Sequence, residues 1–250
     1  PTLNSARFVK ACVENVHAQE GILEHVIVDG GSSDGTIEAV EALRRVHPHV
    51  RLIRGPDRGQ SDALNKATLA SRGDVIGVLN VDDFYEPGAA ASALACLREM
   101  KAPGIVVGDC KVIDEHGAIR FWNRPVDLRA QALLLGWSYA PFPCNPSAYF
   151  YHREVHSIVG GYDVDDHHAM DFDFILSCAQ RVETRYVPAH WGNFRLMPGC
   201  KTYDDDQGPL RVAKIIARHR SRMTRMQRLG IRVAKSRIDF HRFRTSWGLR

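Results

Sequence analysis

Leu79-Asn80-Val81-Asp82-Asp83 closes an apolar run with two adjacent carboxylates. Oxygen ligands on neighbouring residues can share one hard cation, and Mg²⁺ or Mn²⁺ held this way often keeps a phosphate as a further ligand. The competing reading is an N-cap for the next helix, a role Asp fills well. His25 to Asp29 reads as a strand ending in an acid, and Gly30-Gly31-Ser32-Ser33-Asp34-Gly35-Thr36 follows as a glycine-rich turn. Glycines let backbone approach a nucleotide closely, and the acid can accept from ribose or base. A plain tight turn is the alternative. The string is not G-x-G-x-x-G and no G-K-[ST] follows, so the dinucleotide and Walker fingerprints are both absent. Gly55 to Lys66 adds Asp57, Arg58 and Asp62. In Ala169-Met170-Asp171-Phe172-Asp173-Phe174 the two acids lie two residues apart and cannot share a helix face, so one can point at a site while the other points away.

The elements around these segments alternate. Helices are predicted over 5–18, 36–47, 61–71 and 87–100, and strands over 23–28, 50–54 and 74–81, the last buried on both faces. Such alternation implies a parallel, doubly wound sheet whose ligands sit beyond the carboxyl ends of the strands, where the polar clusters lie. The second half is more mixed. A strand pair is predicted over 105–113 and 118–122, then a helix at 127–135, a strand at 147–151 and a helix at 153–159. A helix over 168–180 and a strand over 183–187 follow. From 206 a helix carries the stripe Val212, Ile215, Ile216, His219, Met223 and Met226, Gly230 breaks it, and a second basic helix runs to Trp247.

The 250 residues are 44% apolar and 25% charged, an ordinary globular balance that excludes wholesale disorder, collagen and coiled coil. The longest apolar runs are strand-sized, too short to span a bilayer. Six scattered cysteines, with no C-x-x-C and no His/Cys zinc spacing, read as reduced thiols of a cytoplasmic protein. The net charge of +4 hides an asymmetry: residues 211–250 hold 13 Lys and Arg against one acid, Asp239. A basic tail of this kind either seeks a polyanion or forms a solvated helix face.

Taken in order, these segments resemble the GT-A family 2 glycosyltransferases, over about Pro1 to Thr202. Pro1-Thr2-Leu3-Asn4 is similar to the family's first nucleotide-binding loop, 28–36 to its second-strand signature, and 57–67 to a donor-side segment. Residues 79–83 stand at the D-x-D metal motif. Gly160-Gly161-Tyr162-Asp163 and 169–174 look like the segment of the catalytic base, and Phe194-Arg195 and Lys201-Thr202 like the flexible loop after it. The resemblance implies an α/β, Rossmann-like, three-layer GT-A fold with a mixed central sheet over 1–205, and a basic helical extension over 206–250. It also implies a central strand immediately before Pro1, so the sequence is expected to be trimmed at its start.

The implied activity is inverting transfer of a sugar from a nucleotide-diphosphate donor (UDP, GDP or dTDP) to an acceptor hydroxyl. The acceptor would be a glycan or lipid-linked, in envelope synthesis. Asp82 and Asp83 would hold Mg²⁺ or Mn²⁺, and Asp171 would be the general base. Thr2, Asn4, Asp29, Gly31, Ser32, Asp57, Arg58, Gly59, Asp62, Asn65, Asn80 and Asp82 would line the donor. Three positions depart from the family pattern. Gly30 stands where many relatives carry a second acid, Asn80 replaces the first Asp of D-x-D, and Met197 replaces a His, for which His190 is a candidate substitute. His167 and His168, with Asp163, Asp165 and Asp166, read as a solvated loop more readily than as a second metal site.

The chain is expected in the cytoplasm, with the tail against the membrane's inner face, and an oligomer is compatible with it. A catalytically inactive nucleotide-sugar or nucleic-acid binder is the alternative, but Phe240, Phe243 and Trp247 are the tail's only dotted aromatics, and nucleic acid is not expected as a partner. A nucleotidyltransferase would need a Lys/Arg-bearing phosphate loop that the sequence lacks.

Overall fold

The computed structural model describes residues 1–166 and 168–246, without the side chains of residues 237 and 240–246. His167 and Trp247 lie outside the described residues, as do the side chains of Phe240 and Phe243.

The chain opens with α1 (Ala6–His17), whose buried Val9, Cys12, Val13 and Val16 fall at helical spacing. Next come β1 (His25–Asp29), α2 (Thr36–Val46), β2 (Val50–Arg54) and α3 (Gln60–Ala70). β1 and β2 pair in parallel, His25 with Val50 through Asp29 with Arg54. Val9, Val13, Ile27, Val40, Leu43 and Val50 make one apolar cluster between this pair and its helices. The remaining elements are β3 (Val75–Gly77), β4 (Phe84–Tyr85), α4 (Ala89–Arg98), β5 (Gly104–Ile113), β6 (Ile119–Asn123) and α5 (Ala130–Leu133). They continue with β7 (Tyr149–His152), α6 (Val155–Val159), α7 (Met170–Arg181), β8 (Glu183–Arg195), α8 (Lys201–Asp204), α9 (Gly208–Ser221) and α10 (Arg225–Ser246).

The second sheet runs β3-β7-β5-β8-β4, with β6 on β5. Only β5 and β8 pair in parallel there. The doubly wound parallel sheet read from the alternation is therefore corrected to a mixed one, because β7 returns antiparallel between β3 and β5. The strand expected over 74–81 shrinks to Val75–Gly77 and is not buried on both faces, since Gly77 is exposed. It pairs with β7 alone, and the chain turns away at once, with Asp83 N–H on Asn80 O at 3.1 Å. Between the facing edges of β1 and β3 lies a cavity of about 480 Å³ lined by Val9, Val16, Ile27, Ile76 and Val78 among others. Thr2 stands at its rim, bridged in parallel to Asp29 through Val28 O at 2.8 Å and Gly30 N–H at 3.1 Å.

β8 reaches Arg195, eight residues beyond the expected end. Its Gly192 allows this: a Cβ there would sit 2.3 Å from Ser147 Oγ, so only glycine lets the Pro146–Ala148 turn pack on the strand. Towards the C-terminus, Ile215 of α9 and Ile231 of α10 join the main core with Leu133 and Leu176, and Val212, Ile216 and Met223 pack against it. Of the stripe read from sequence, Met226 alone is turned to solvent, 77% exposed. The helix break also moves. It falls at 222–224, not at Gly230, which lies inside α10. Thr224 and Gln227 form a reciprocal cap there, Thr224 N–H to Gln227 Oε1 at 2.9 Å and Gln227 N–H to Thr224 Oγ1 at 3.3 Å. That start signal outweighs the roughly 1 kcal/mol a mid-helix glycine costs. All six cysteines are free thiols.

Candidate active site

Four loops meet beyond the carboxyl ends of β1, β2 and β3, and the sequence explains their shapes. Asp29 ends β1 fully buried, and its carboxylate accepts from Gly31 N–H and Ser32 N–H, both at 2.9 Å, and from Ser32 Oγ. It thereby builds the glycine loop around itself. Asn4 ties the first loop to this one: its N–H donates to Ser32 Oγ at 2.8 Å and its Oδ1 accepts from Ser33 N–H at 2.9 Å. Thr2 is buried and its Oγ1 has no partner, leaving a donor and acceptor unspent at the rim.

The 57–62 loop docks onto the first. A Cβ on Gly30 would lie 2.7 Å from Asp57 Oδ2. Position 30 is thus a glycine because the Asp57 carboxylate occupies the space. Asp57 Oδ1 accepts from Gly59 N–H at 2.8 Å. Asp62 accepts from Arg58 N–H at 3.0 Å and pairs with Lys66 at 2.9 Å, while Arg58 is exposed. Asn65 is a strut: its amide donates to Tyr162 O at 2.9 Å and accepts from Tyr162 N–H at 2.8 Å, so both its polar ends are spent.

Asp82 and Asp83 divide their work. Asp83 is buried; Oδ2 accepts from Asn145 Nδ2 at 2.7 Å and Asn80 Nδ2 at 3.0 Å, and Oδ1 from Arg195 N–H at 2.9 Å. Burial and the neighbouring Asp82 push its carboxyl up to about 7. Asp82 is raised too, by burial, with Arg195 opposing. Among the described residues no other side chain donates to Asp82. A half-buried acid pair with one member open is a hard-oxygen donor set that fits Mg²⁺ or Mn²⁺.

A chain of hydrogen bonds carries this pair across the rim. Asn80 Oδ1 accepts from Gln60 Nε2 at 2.8 Å, and Gln60 Oε1 accepts from Lys201 Nζ at 3.0 Å. The Lys201 ammonium faces both Asp57 and Asp171, whose charges oppose the lowering of its pKa by desolvation.

Asp171 lies in the first turn of α7. Its Oδ1 accepts from the Tyr149 hydroxyl at 2.6 Å. Burial pushes it up to about 6, against the pull of Tyr149 and Lys201. Behind Tyr149, hydroxyl contacts run to Tyr162 at 3.2 Å, on to Tyr151 at 3.3 Å, and to His156 Nε2 at 2.9 Å. Every member is satisfied when each donates towards the acid. Asp173, as the two-residue spacing requires, points elsewhere, to His219 at 2.7 Å and Arg218 at 2.8 Å.

The remaining candidates are engaged with other partners. His190 contacts Gly192 O at 3.1 Å and Glu86 at 3.5 Å. Met197 takes its contact from Arg7. Asp163 pairs with Arg218 and His168 with Asp205, so the described part of that loop gathers no cation site. Sequence reasoning did not assign Tyr149, Asn145 or Gln60 to the site. It met Lys201 only as part of a loop.

A family model described as "Glycosyl transferase family 2" matches residues 1–156. The chain is 30% identical over 192 residues to a "PGL/p-HBAD biosynthesis glycosyltransferase" of Mycobacterium bovis (strain BCG / Pasteur 1173P2), covering 75% of this chain and 71% of that one. It is 35% identical over 100 residues to a chondroitin synthase of Pasteurella multocida (strain Pm70), covering 40% of this chain and a tenth of that protein's length. Among solved structures it is similar to Staphylococcus aureus TarS 1-349 in complex with UDP-GlcNAc (TM-score 0.68, 15% identity, 87% of this chain and 64% of that one). It is also similar to the mannosyltransferase PcManGT of Pyrobaculum calidifontis in complex with GDP-Man and Mn²⁺ (TM-score 0.58, 17% identity, 100% and 81%).

Proposed function

This chain belongs to glycosyl transferase family 2 and has the GT-A fold, and from that premise we propose that it moves a sugar, with inversion, from a nucleotide-diphosphate donor to an acceptor hydroxyl. One observation carries the reading: the run Lys201–Gln60–Asn80–Asp83 joins the open acid pair to the cation that faces Asp171.

The residues divide the reaction as follows. The glycine loop shaped by Asp29, with Asn4, Thr2 and Asp57 around it, would seat the nucleoside. Asp82 would be the direct ligand of Mg²⁺ or Mn²⁺, with Asp83 bracing the turn from behind. When bound, the cation supplies charge neutralisation for the departing diphosphate. Lys201 adds a second positive charge on the same rim. Ionised Asp171 would take the proton of the acceptor hydroxyl as its oxygen bonds the anomeric carbon and the bond to the diphosphate breaks. Such a base contributes roughly 10²–10⁴ in rate.

The proposed acceptor is one of envelope glycan or glycolipid synthesis; similarity to a PGL/p-HBAD biosynthesis glycosyltransferase and to a chondroitin synthase supports a role in glycan assembly. Among the described residues no helix is long and apolar enough to cross a membrane. The proposed location is the cytoplasmic face of the membrane, held by α10. Its exposed Met226, Leu229 and Val233 share a side with Arg225, Arg228 and Arg232, and each basic residue adds about 1 kcal/mol at an anionic surface. Flotation with anionic vesicles tests this. Wild type should float, and the R225E/R228E/R232E variant should not; equal flotation contradicts it.

The donor is tested by thermal shift with UDP-, GDP-, dTDP- and CMP-sugars, with and without Mn²⁺. A true donor held at a hundred times its Kd stabilises by about 2.7 kcal/mol, and the reading requires that gain to depend on Mn²⁺. No shift with any of them contradicts it.

A further inference from the structure

At the opposite end of β1 and β2 from the acids, three histidines converge. His17 is the last residue of α1, His47 the residue just after α2, and His49 the residue before β2. One ligand nitrogen from each lies within 4.8 Å of the other two. The rings are 4.5 Å (17–47), 5.0 Å (17–49) and 5.7 Å (47–49) apart between centroids. We propose that His17, His47 and His49 bind one transition-metal ion of the Zn²⁺ class, with the fourth position open to water.

Packing alone does not account for this trio. His47 Nδ1 and His49 Nε2 are buried without a hydrogen-bond partner. Buried polar nitrogens are ordinarily satisfied, and two such atoms beside a third imidazole point to a shared ligand. The cluster also sits at the carboxyl ends of two helices: His47 N–H still bonds Leu43 O at 2.8 Å, and His17 closes α1. The negative ends of both helix dipoles favour a cation there.

The chemistry selects the ion. Three imidazoles suit Zn²⁺, Cu²⁺ or Ni²⁺ better than Mg²⁺ or Ca²⁺. Bonds of about 2.0–2.1 Å in a tetrahedron put the nitrogens roughly 3.3 Å apart, so the trio must draw in by at most about 1.5 Å. Side-chain rotation supplies that, and exposed His17 leaves an entry path. Its position gives the role. β1 and β2 run five residues from this cluster to the donor loops, about 13 Å at a strand's rise. The ion would therefore clamp α1 to α2 and to the start of β2, not take part in transfer.

The test uses the full chain without a polyhistidine tag. Co²⁺ serves as the coloured probe, displaced by Zn²⁺. Wild type should show the visible bands of four-coordinate Co²⁺ at one equivalent, and Zn²⁺ should raise Tm. H17Q, at a solvent-exposed position, and H49Q should each bind at least about tenfold more weakly, while D82N keeps the full signal. Absence of the four-coordinate bands in wild type, or equal affinity in wild type and H17Q, overturns the proposal. Should H49Q fail to fold, H17Q alone decides.

Discussion

The Tyr149 hydroxyl donates to Asp171 Oδ1 at 2.6 Å, from the end of a buried ladder that continues through Tyr162 and Tyr151 to His156. This bond favours the ionised acid while burial disfavours it, and the balance leaves Asp171 near 6. A base must be ionised to accept a proton. The rate should therefore fall about tenfold per pH unit below pH 6 and level off above it. Y149F removes a bond to the charged form, worth about 1.5–3 kcal/mol. The acidic limb of kcat/KM should then move up by about one to two pH units, with little change on the plateau. A pH–rate profile for both proteins checks this; an unmoved limb would separate Tyr149 from the base.

Asp82 and Asp83 should respond differently to substitution. Asp82 takes no bond from another side chain among the described residues, so D82N should abolish the Mn²⁺-dependent rise in Tm and leave the metal-free Tm within about 2 °C. Asp83 holds Asn80, Asn145 and the Arg195 N–H. D83A leaves those donors facing a void, and chemical denaturation should show a loss of about 3 kcal/mol. The reverse pattern would exchange the two roles.

Gly30 and Asp57 form a coupled pair. The methyl of G30A would press on Asp57 Oδ2, which lies 2.7 Å from an ideal Cβ, and should raise the donor KM by about tenfold, near 1.4 kcal/mol. In the D57A background the same change meets space and should cost almost nothing further. Steady-state kinetics on the four proteins measures the coupling. Additive effects would mean that the close approach does not shape the donor site.

Much of the first half was legible because each element announces itself locally. α1 carries Val9, Cys12, Val13 and Val16 at helical spacing, and β1 and β2 are short apolar runs bounded by turns. The orientation of Asp173 followed from its two-residue offset from Asp171. What the sequence hid was direction and distance. Asn65 has the right chemistry to touch a ligand, yet both its polar ends are spent on the Tyr162 backbone, because residue type does not say where a side chain points. Asn145 reaches Asp83 across 62 positions, with no periodic pattern around it to flag the contact. β8 looked finished at Val187 because Pro188 follows it and interrupts a strand signal, and the fit that lets the strand run on, Gly192 against Ser147, involves another segment. The Thr224–Gln227 cap stands in the sequence as T-x-x-Q, six residues before the Gly230 at which the break was expected.

The most direct test of the account is D171N, which keeps an oxygen for Tyr149 and removes the base. Transfer should drop by about 10²–10⁴ in kcat, while the Mn²⁺-dependent thermal shift with the donor stays at its wild-type size. Turnover at the wild-type rate would contradict the assignment of Asp171.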